Sequence, residues 1–171
     1  MRKIGMIIMA VFCISFLSVS ADDRNPHNSC SHHEDEREGY SFFGNTLYFD
    51  GKPVKGVSLS EVEILRDGYA KDKWNVFYCG EIVKGVSVNS FKVLDCGYAA
   101  DTWSVYYAGR KIKEASPGSF DVLRDGYAKD TWNVFFDGKI IKGASPNSFK
   151  VLKDGYAEDS WNKYYYGKKM K

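Results

Sequence analysis

An all-β, open-ended array of 29-residue β-meander or hairpin repeats is the fold expected of this 171-residue chain, with a partial propeller-like arrangement as the alternative. Strict periodicity is the first ground. Trp74, Trp103, Trp132 and Trp161 recur every 29 residues, as do Gly39, Gly68, Gly97, Gly126 and Gly155, each followed by tyrosine. A register without insertions from residue 39 to 171 belongs to repeat architectures, where each unit buries its apolar face against a neighbour. The second ground is alternation. Trp132, Val134 and Phe136 interleave with Asn133, Phe135 and Asp137, the period of two that a strand imposes. The third is turn chemistry. Asp137–Gly138 and Asp50–Gly51 each separate two β-like runs, and both residues of such a pair accept the positive φ of a tight hairpin.

Two segments precede the array. Arg2 and Lys3, an apolar run over residues 4–17, and small residues at Val19 and Ala21 predict a signal peptide over 1–21. The run is short of the roughly 20 residues of a membrane span, so no stable span is expected once the signal is cleaved. Cleavage leaves 150 residues with 22 basic and 22 acidic side chains, a net charge of zero. No net basic field then argues for nucleic acid or an anionic membrane. Residues 22–38 are polar and poor in apolar side chains, the composition of a disordered tether.

From residue 39 the units run 39–67, 68–96, 97–125 and 126–154, with a partial unit at 155–171. Residues 129–133 make a second reversal, in which Asp130 and Asn133 bond locally to backbone. A strand follows at 148–152, whose Lys150, like Lys92 and Asp121 in other units, predicts a face in water. The serine-rich stretches 115–119 and 144–148 read as a loop or one helical turn, with serine at the N-cap and proline next. Each unit is thus a small meander followed by a serine-rich corner. The ends depart: unit one has Phe43 and Asn45 where others have Asp and Trp, and Lys163 replaces Val76, Val105 and Val134. Lysine at a core-facing valine position predicts that no further unit stacks there.

Residues 72–78, Asp-Lys-Trp-Asn-Val-Phe-Tyr, resemble the bacterial DKNYY family, and the likeness continues through residues 138–152. It spans 39–171. The tryptophans stand where that family tends to have asparagine, and Tyr-Tyr becomes Phe77–Tyr78 or Phe135–Phe136. The resemblance implies a repeat array and no particular activity.

Catalysis needs different groups converging on one pocket, whereas this chain offers the same groups at equal steps. His27, His32 and His33 all lie in the tether, so the array holds no Ser-His or Cys-His dyad. No enzyme, no cofactor and no metal is expected. The tether's His and Cys cluster is too irregular for a closed site. Asp72, Asp101, Asp130 and Asp159 supply far fewer than the six to eight oxygens calcium takes, and read instead as turn clamps.

For Trp74, Trp103, Trp132 and Trp161 two readings compete. In one they form a ladder of ligand platforms for sugars or quaternary ammonium groups. In the other they share a face with valine and tyrosine or phenylalanine and stack into the neighbouring unit's core, so that Trp103→Ala costs about 3–5 kcal/mol. Tyr106 and Tyr164 are expected to be exposed and to add an adhesive outer face. Cys79 and Cys96, the only array cysteines, are expected to pair, with Cys30 as the rival partner and two buried thiols as the plain alternative.

The functional expectation is an exported, non-catalytic binding or scaffolding module, periplasmic, surface-bound or secreted. Its partners are a protein or glycan at the envelope or a host surface, and no nucleic acid. The alternative is a carbohydrate- or wall-binding module working through the aromatic ladder.

Overall fold

The computed structural model describes residues 39–171. The signal segment and the tether lie outside these residues. Five antiparallel sheets follow one another along the chain, each with its strands in sequence order. The first holds β1 (Tyr40–Phe43), β2 (Thr46–Phe49) and β3 (Lys52–Pro53). The second holds β4 (Glu63–Ile64), β5 (Tyr69–Lys71), β6 (Val76–Tyr78) and β7 (Glu81–Ile82). The third holds β8 (Lys92–Val93), β9 (Tyr98–Ala100), β10 (Val105–Tyr107) and β11 (Arg110–Ile112). The fourth holds β12 (Asp121–Val122), β13 (Tyr127–Lys129), β14 (Val134–Phe136) and β15 (Lys139–Ile140). The fifth holds β16 (Lys150–Val151), β17 (Tyr156–Glu158), β18 (Lys163–Tyr165) and β19 (Lys168–Lys169). The all-β repeat array is as the sequence predicts.

The Asp-Gly hairpins form where expected. Asp137 and Gly138 have φ of 47° and 72°, and Phe136 pairs with Lys139 across them. Cys79–Gly80, Ala108–Gly109 and Tyr166–Gly167 take the same conformation, so the turn survives loss of the aspartate because the glycine remains. The serine-rich corner at 115–119 becomes a single 3-10 turn, Pro117–Ser119, with proline at its start, whereas 146–148 form a plain turn. Ser116 makes no side-chain cap to the 3-10 turn.

The sheets are phased differently from the units read in sequence. β8 pairs with β9, Lys92 opposite Ala100, so the strand that closes one sequence unit is the first strand of the next sheet. Lys92, Asp121 and Lys150 on these strands are exposed, as expected.

The core lies between successive sheets. Tyr69, Val76 and Val83 meet Ala99 and Tyr106 of the next sheet, with Phe91 from the intervening corner between them. The same sets recur as Tyr98, Val105 and Ile112 against Ala128 and Phe135, and as Tyr127, Val134 and Ile141 against Ala157 and Tyr164. Tyr40, Leu47 and Val54 meet Ala70 and Phe77 at the first interface. The middle strands β6, β10 and β14 of the three inner sheets are therefore buried on both faces. Val134 faces forward and Phe135 backward, and neither is exposed to solvent.

Tyrosine hydroxyls staple the sheets across their edges. Tyr98 Oη accepts the Gly138 N–H at 3.0 Å and donates to the Gly126 carbonyl at 3.0 Å. Tyr127 does likewise with Gly167 and Gly155. Tyr40 and Tyr69 accept from Gly80 and Gly109. On the outer face of the fifth sheet, Tyr156 and Tyr165 are 42% and 43% exposed and Lys163 lies in solvent. Among the described residues nothing stacks on that face, and the array is open at this end.

Candidate functional site

The loop before each middle strand is built on one aspartate. Asp130 Oδ1 accepts the backbone N–H groups of Trp132 and Asn133 at 2.8 and 2.6 Å, the local bonding that makes an aspartate close a turn on itself. Its Oδ2 accepts the N–H of Ser116, in the preceding serine corner, at 2.9 Å. Asp72 serves Trp74, Asn75 and Ser58 in the same way, and Asp159 serves Trp161, Asn162 and Ser145. Asp101 takes Trp103 and Ser87. A second link crosses the same gap. Thr102, Thr131 and Ser160 donate their N–H to Oγ of Ser90, Ser119 and Ser148.

These contacts set the charge state of the turn. Burial alone would raise the Asp159 carboxyl, but the N–H groups of Ser145, Trp161 and Asn162 and the Tyr164 hydroxyl outweigh it and hold the pKa at about 2. Asp72 and Asp101 are lowered by the same balance of burial against donated hydrogen bonds. With both oxygens engaged by backbone donors, the aspartates are turn clamps, as their spacing suggested.

The clamp decides where the tryptophans go. Each lies in the loop, before its strand begins at valine or lysine, and its backbone rather than its ring is held. Trp74, Trp103, Trp132 and Trp161 are 69, 77, 75 and 85% exposed. The expectation that they stack in the core is therefore wrong. Alternation was extended two residues too far, from the strand into the turn. The four are not gathered into one pocket; they occupy the same loop of four successive sheets. The first sheet has none, since the tight Gly44–Asn45 turn joins β1 to β2, leaving Phe43 80% exposed.

Tyr106 and Tyr164 are corrected in the opposite sense. Both are fully buried, because they hold the backward-facing position that Phe77 and Phe135 hold elsewhere. Their hydroxyls donate to Oδ2 of Asp101 and Asp159 at 3.0 and 2.8 Å. They are parts of the clamp and not of an adhesive face.

The Cys79–Cys96 bridge does not form. Cys79 is a free, exposed thiol, and Cys96 is disulfide-bonded, so to a cysteine other than Cys79. The reason is the phase of the repeat. Cys79 sits in the β6–β7 hairpin, where its N–H bonds to the Gly68 carbonyl, and its cross-sheet neighbourhood is that of Asp67. Cys96 precedes β9 in the next sheet. Cys30, the rival partner, lies outside the described residues, as do the three histidines.

One surface feature went unread in the sequence. Lys55, Lys84, Lys113 and Lys142 keep the 29-residue step and are all exposed. Each lies in the turn that the clamp ties to a tryptophan loop, and the Asn75 side chain also donates to the Gly56 carbonyl at 3.2 Å. A count of lysine positions at the period would have found the row. Lysine was passed over because it is common on any surface.

The comparisons agree with this architecture. The DKNYY family model matches residues 18–110 and 40–169. Neither the curated proteins nor the solved structures returned a match. The repeated loop, strand and hairpin thus carry the family's pattern across nearly the whole array, and the chain belongs to the DKNYY family.

Proposed function

We propose that this repeat protein is exported and acts as a non-catalytic binding module at the bacterial envelope or outside the cell, with the tryptophan loops as its contact edge. The carrying observation is that four large aromatic side chains stand mostly in water, each on a loop fixed by an aspartate clamp. An indole contributes contact area at small conformational cost when its backbone is already rigid, and tryptophan dominates binding hot spots. Equivalent patches on successive units suit a ligand engaged at several points, where avidity multiplies weak single contacts. Export is supported by the charged start and short apolar run of residues 1–21. A glycan- or wall-binding role is the more specific second reading, favoured over a protein partner by the separation of the indoles into equal single platforms.

The test is binding of the mature chain to isolated envelope fractions and host-cell surfaces. Saturable binding that falls at least about tenfold in the Trp103→Ala, Trp132→Ala double variant, with an unchanged melt, is the expected result. Binding indifferent to both substitutions would remove the contact edge.

A further inference from the structure

We infer that the ligand of the tryptophan edge is an acidic sugar polymer, a chain of rings bearing carboxylate or phosphate groups at intervals. The inference rests on the tryptophan loops being the contact edge and adds the charge and form of what they hold. To each tryptophan loop the fold ties, through backbone hydrogen bonds, a turn that carries an exposed lysine. Ser58, three residues beyond Lys55, bonds to the carboxylate that clamps Trp74, and Asn75 bonds to Gly56 next to Lys55. Ser87, three residues beyond Lys84, donates its N–H to the Asp101 carboxylate that clamps Trp103, and the Gly85 carbonyl lies 3.0 Å from the Tyr106 hydroxyl, which brings the Lys84 turn beside the Trp103 loop. Asn133 reaches the Glu114 carbonyl at 3.4 Å, next to Lys113, and Ser145 ties the Lys142 turn to the Trp161 loop at 2.9 Å.

These loops and turns balance in formal charge, five lysines against four clamp aspartates and Glu114, but Lys55, Lys73, Lys84, Lys113 and Lys142 are exposed while Asp72, Asp101 and Asp130 are buried, so the charge offered to a ligand is mainly ammonium. The aspartates within them are closed in hydrogen bonds to the backbone, and Glu114 is the one acid in the four lysine turns. Lys73 adds a further ammonium, 5.3 Å above the Trp74 ring. An ammonium takes carboxylate or phosphate as a point charge, without the planar fit of a guanidinium. Thr102, Thr131 and Ser160 adjoin the indoles and bring hydroxyls suited to a sugar.

Spacing decides between polymers. Sheets packed face to face lie about 10 Å apart, so one lysine per sheet gives a charge about every 10 Å. A nucleic-acid strand carries a phosphate about every 3.4 Å and is met by a denser basic track. A sparser acid, repeating along a sugar chain, fits one lysine and one indole per sheet.

The experiment titrates the full mature chain with polygalacturonate, a glycerol-phosphate sugar polymer, neutral dextran, polyglutamate and oligo(dT), following tryptophan fluorescence. Expected is binding to at least one acidic sugar polymer, weakened by raising salt from about 0.05 to about 0.5 M. The triple variant Lys84→Gln, Lys113→Gln, Lys142→Gln should bind about tenfold more weakly with an unchanged melt, since all three side chains are exposed. Equal binding of dextran, tighter binding of polyglutamate or oligo(dT), no binding of either acidic sugar polymer, or an unaffected triple variant would each overturn the inference. If the tryptophan variants abolish envelope binding and the lysine variant does not, the contact edge stands and only the acidic ligand falls.

Discussion

A single hydroxyl distinguishes Tyr98 from phenylalanine, and it joins two sheets. It satisfies the Gly138 N–H and the Gly126 carbonyl at once, so Tyr98→Phe leaves a donor and an acceptor without a partner. The expected cost is about 1–3 kcal/mol in urea melts, while Tyr156→Phe, beyond which no sheet follows, should cost almost nothing. Equal losses would mean that the hydroxyl bonds do not couple the sheets. The aspartate clamp makes a pH prediction. The folded pKa of Asp159, about 2, lies below its ordinary value of 3.8, so its contribution to stability is present above about pH 4 and is lost as pH falls towards 2. Asp72 and Asp101, also lowered, act in the same direction. Thermal melts should fall through that window, and Asp159→Asn should flatten part of the fall; a profile indifferent to the substitution would count against the clamp. At this scale the aspartates were legible because their chemistry is local, a carboxylate bonding to its own chain two and three residues on. The tryptophans were not, because alternation alone cannot say where a three-residue strand stops. With Trp103 77% exposed, Trp103→Ala should change stability by no more than about 0.5 kcal/mol in the same melts.

At the level of the element, the turn glycines do two jobs that can be separated. Gly109 has φ +71°, and a Cβ built on it lies 2.7 Å from the Tyr78 Cβ of the preceding sheet. Gly85 has φ +72° and open space around the same position. Gly85→Ala should therefore carry only the left-handed backbone penalty of about 1–2 kcal/mol. Gly109→Ala should add the displacement of an adjoining sheet, about 1–3 kcal/mol more. Denaturant midpoints of the two variants measure the difference, and its absence would show that the sheets can part there without loss. The hairpins themselves were readable, since Asp-Gly between β-like runs has few other conformations. The sheets were not fully so. A repeat has a period but no marked beginning, and starting each unit at Gly-Tyr assigned the strand at 148–152 to the wrong sheet. The mistaken Cys79–Cys96 pair followed from that phase, because residues grouped in one sequence unit fall in two sheets.

Taken whole, the molecule is a chain of nearest-neighbour interfaces, since every core cluster draws on two adjacent sheets and the corner between them. The strict 29-residue period implied this before any contact was seen, and Lys163 marked the open end. Such an array should tolerate loss of one period but not of a period less one residue. Deleting residues 97–125 joins Cys96 to Gly126, where Asp125 stood, and brings β8 against β13 in the place of β12. Phe91 then occupies the corner position of Phe120, and Ala128 and Phe135 face Tyr69, Val76 and Val83 in place of Ala99 and Tyr106. The Tyr69 hydroxyl, which accepts from Gly109, meets Gly138 instead. A cooperative urea transition is expected to persist, at a lower midpoint and with a smaller m-value because less surface is exposed on unfolding. Deleting 97–124 shifts every later side chain by one position, sends the forward face of each following strand backward relative to β8, and should abolish the transition. If both deletions unfold the chain equally, stability depends on contacts beyond adjacent sheets and the nearest-neighbour account fails.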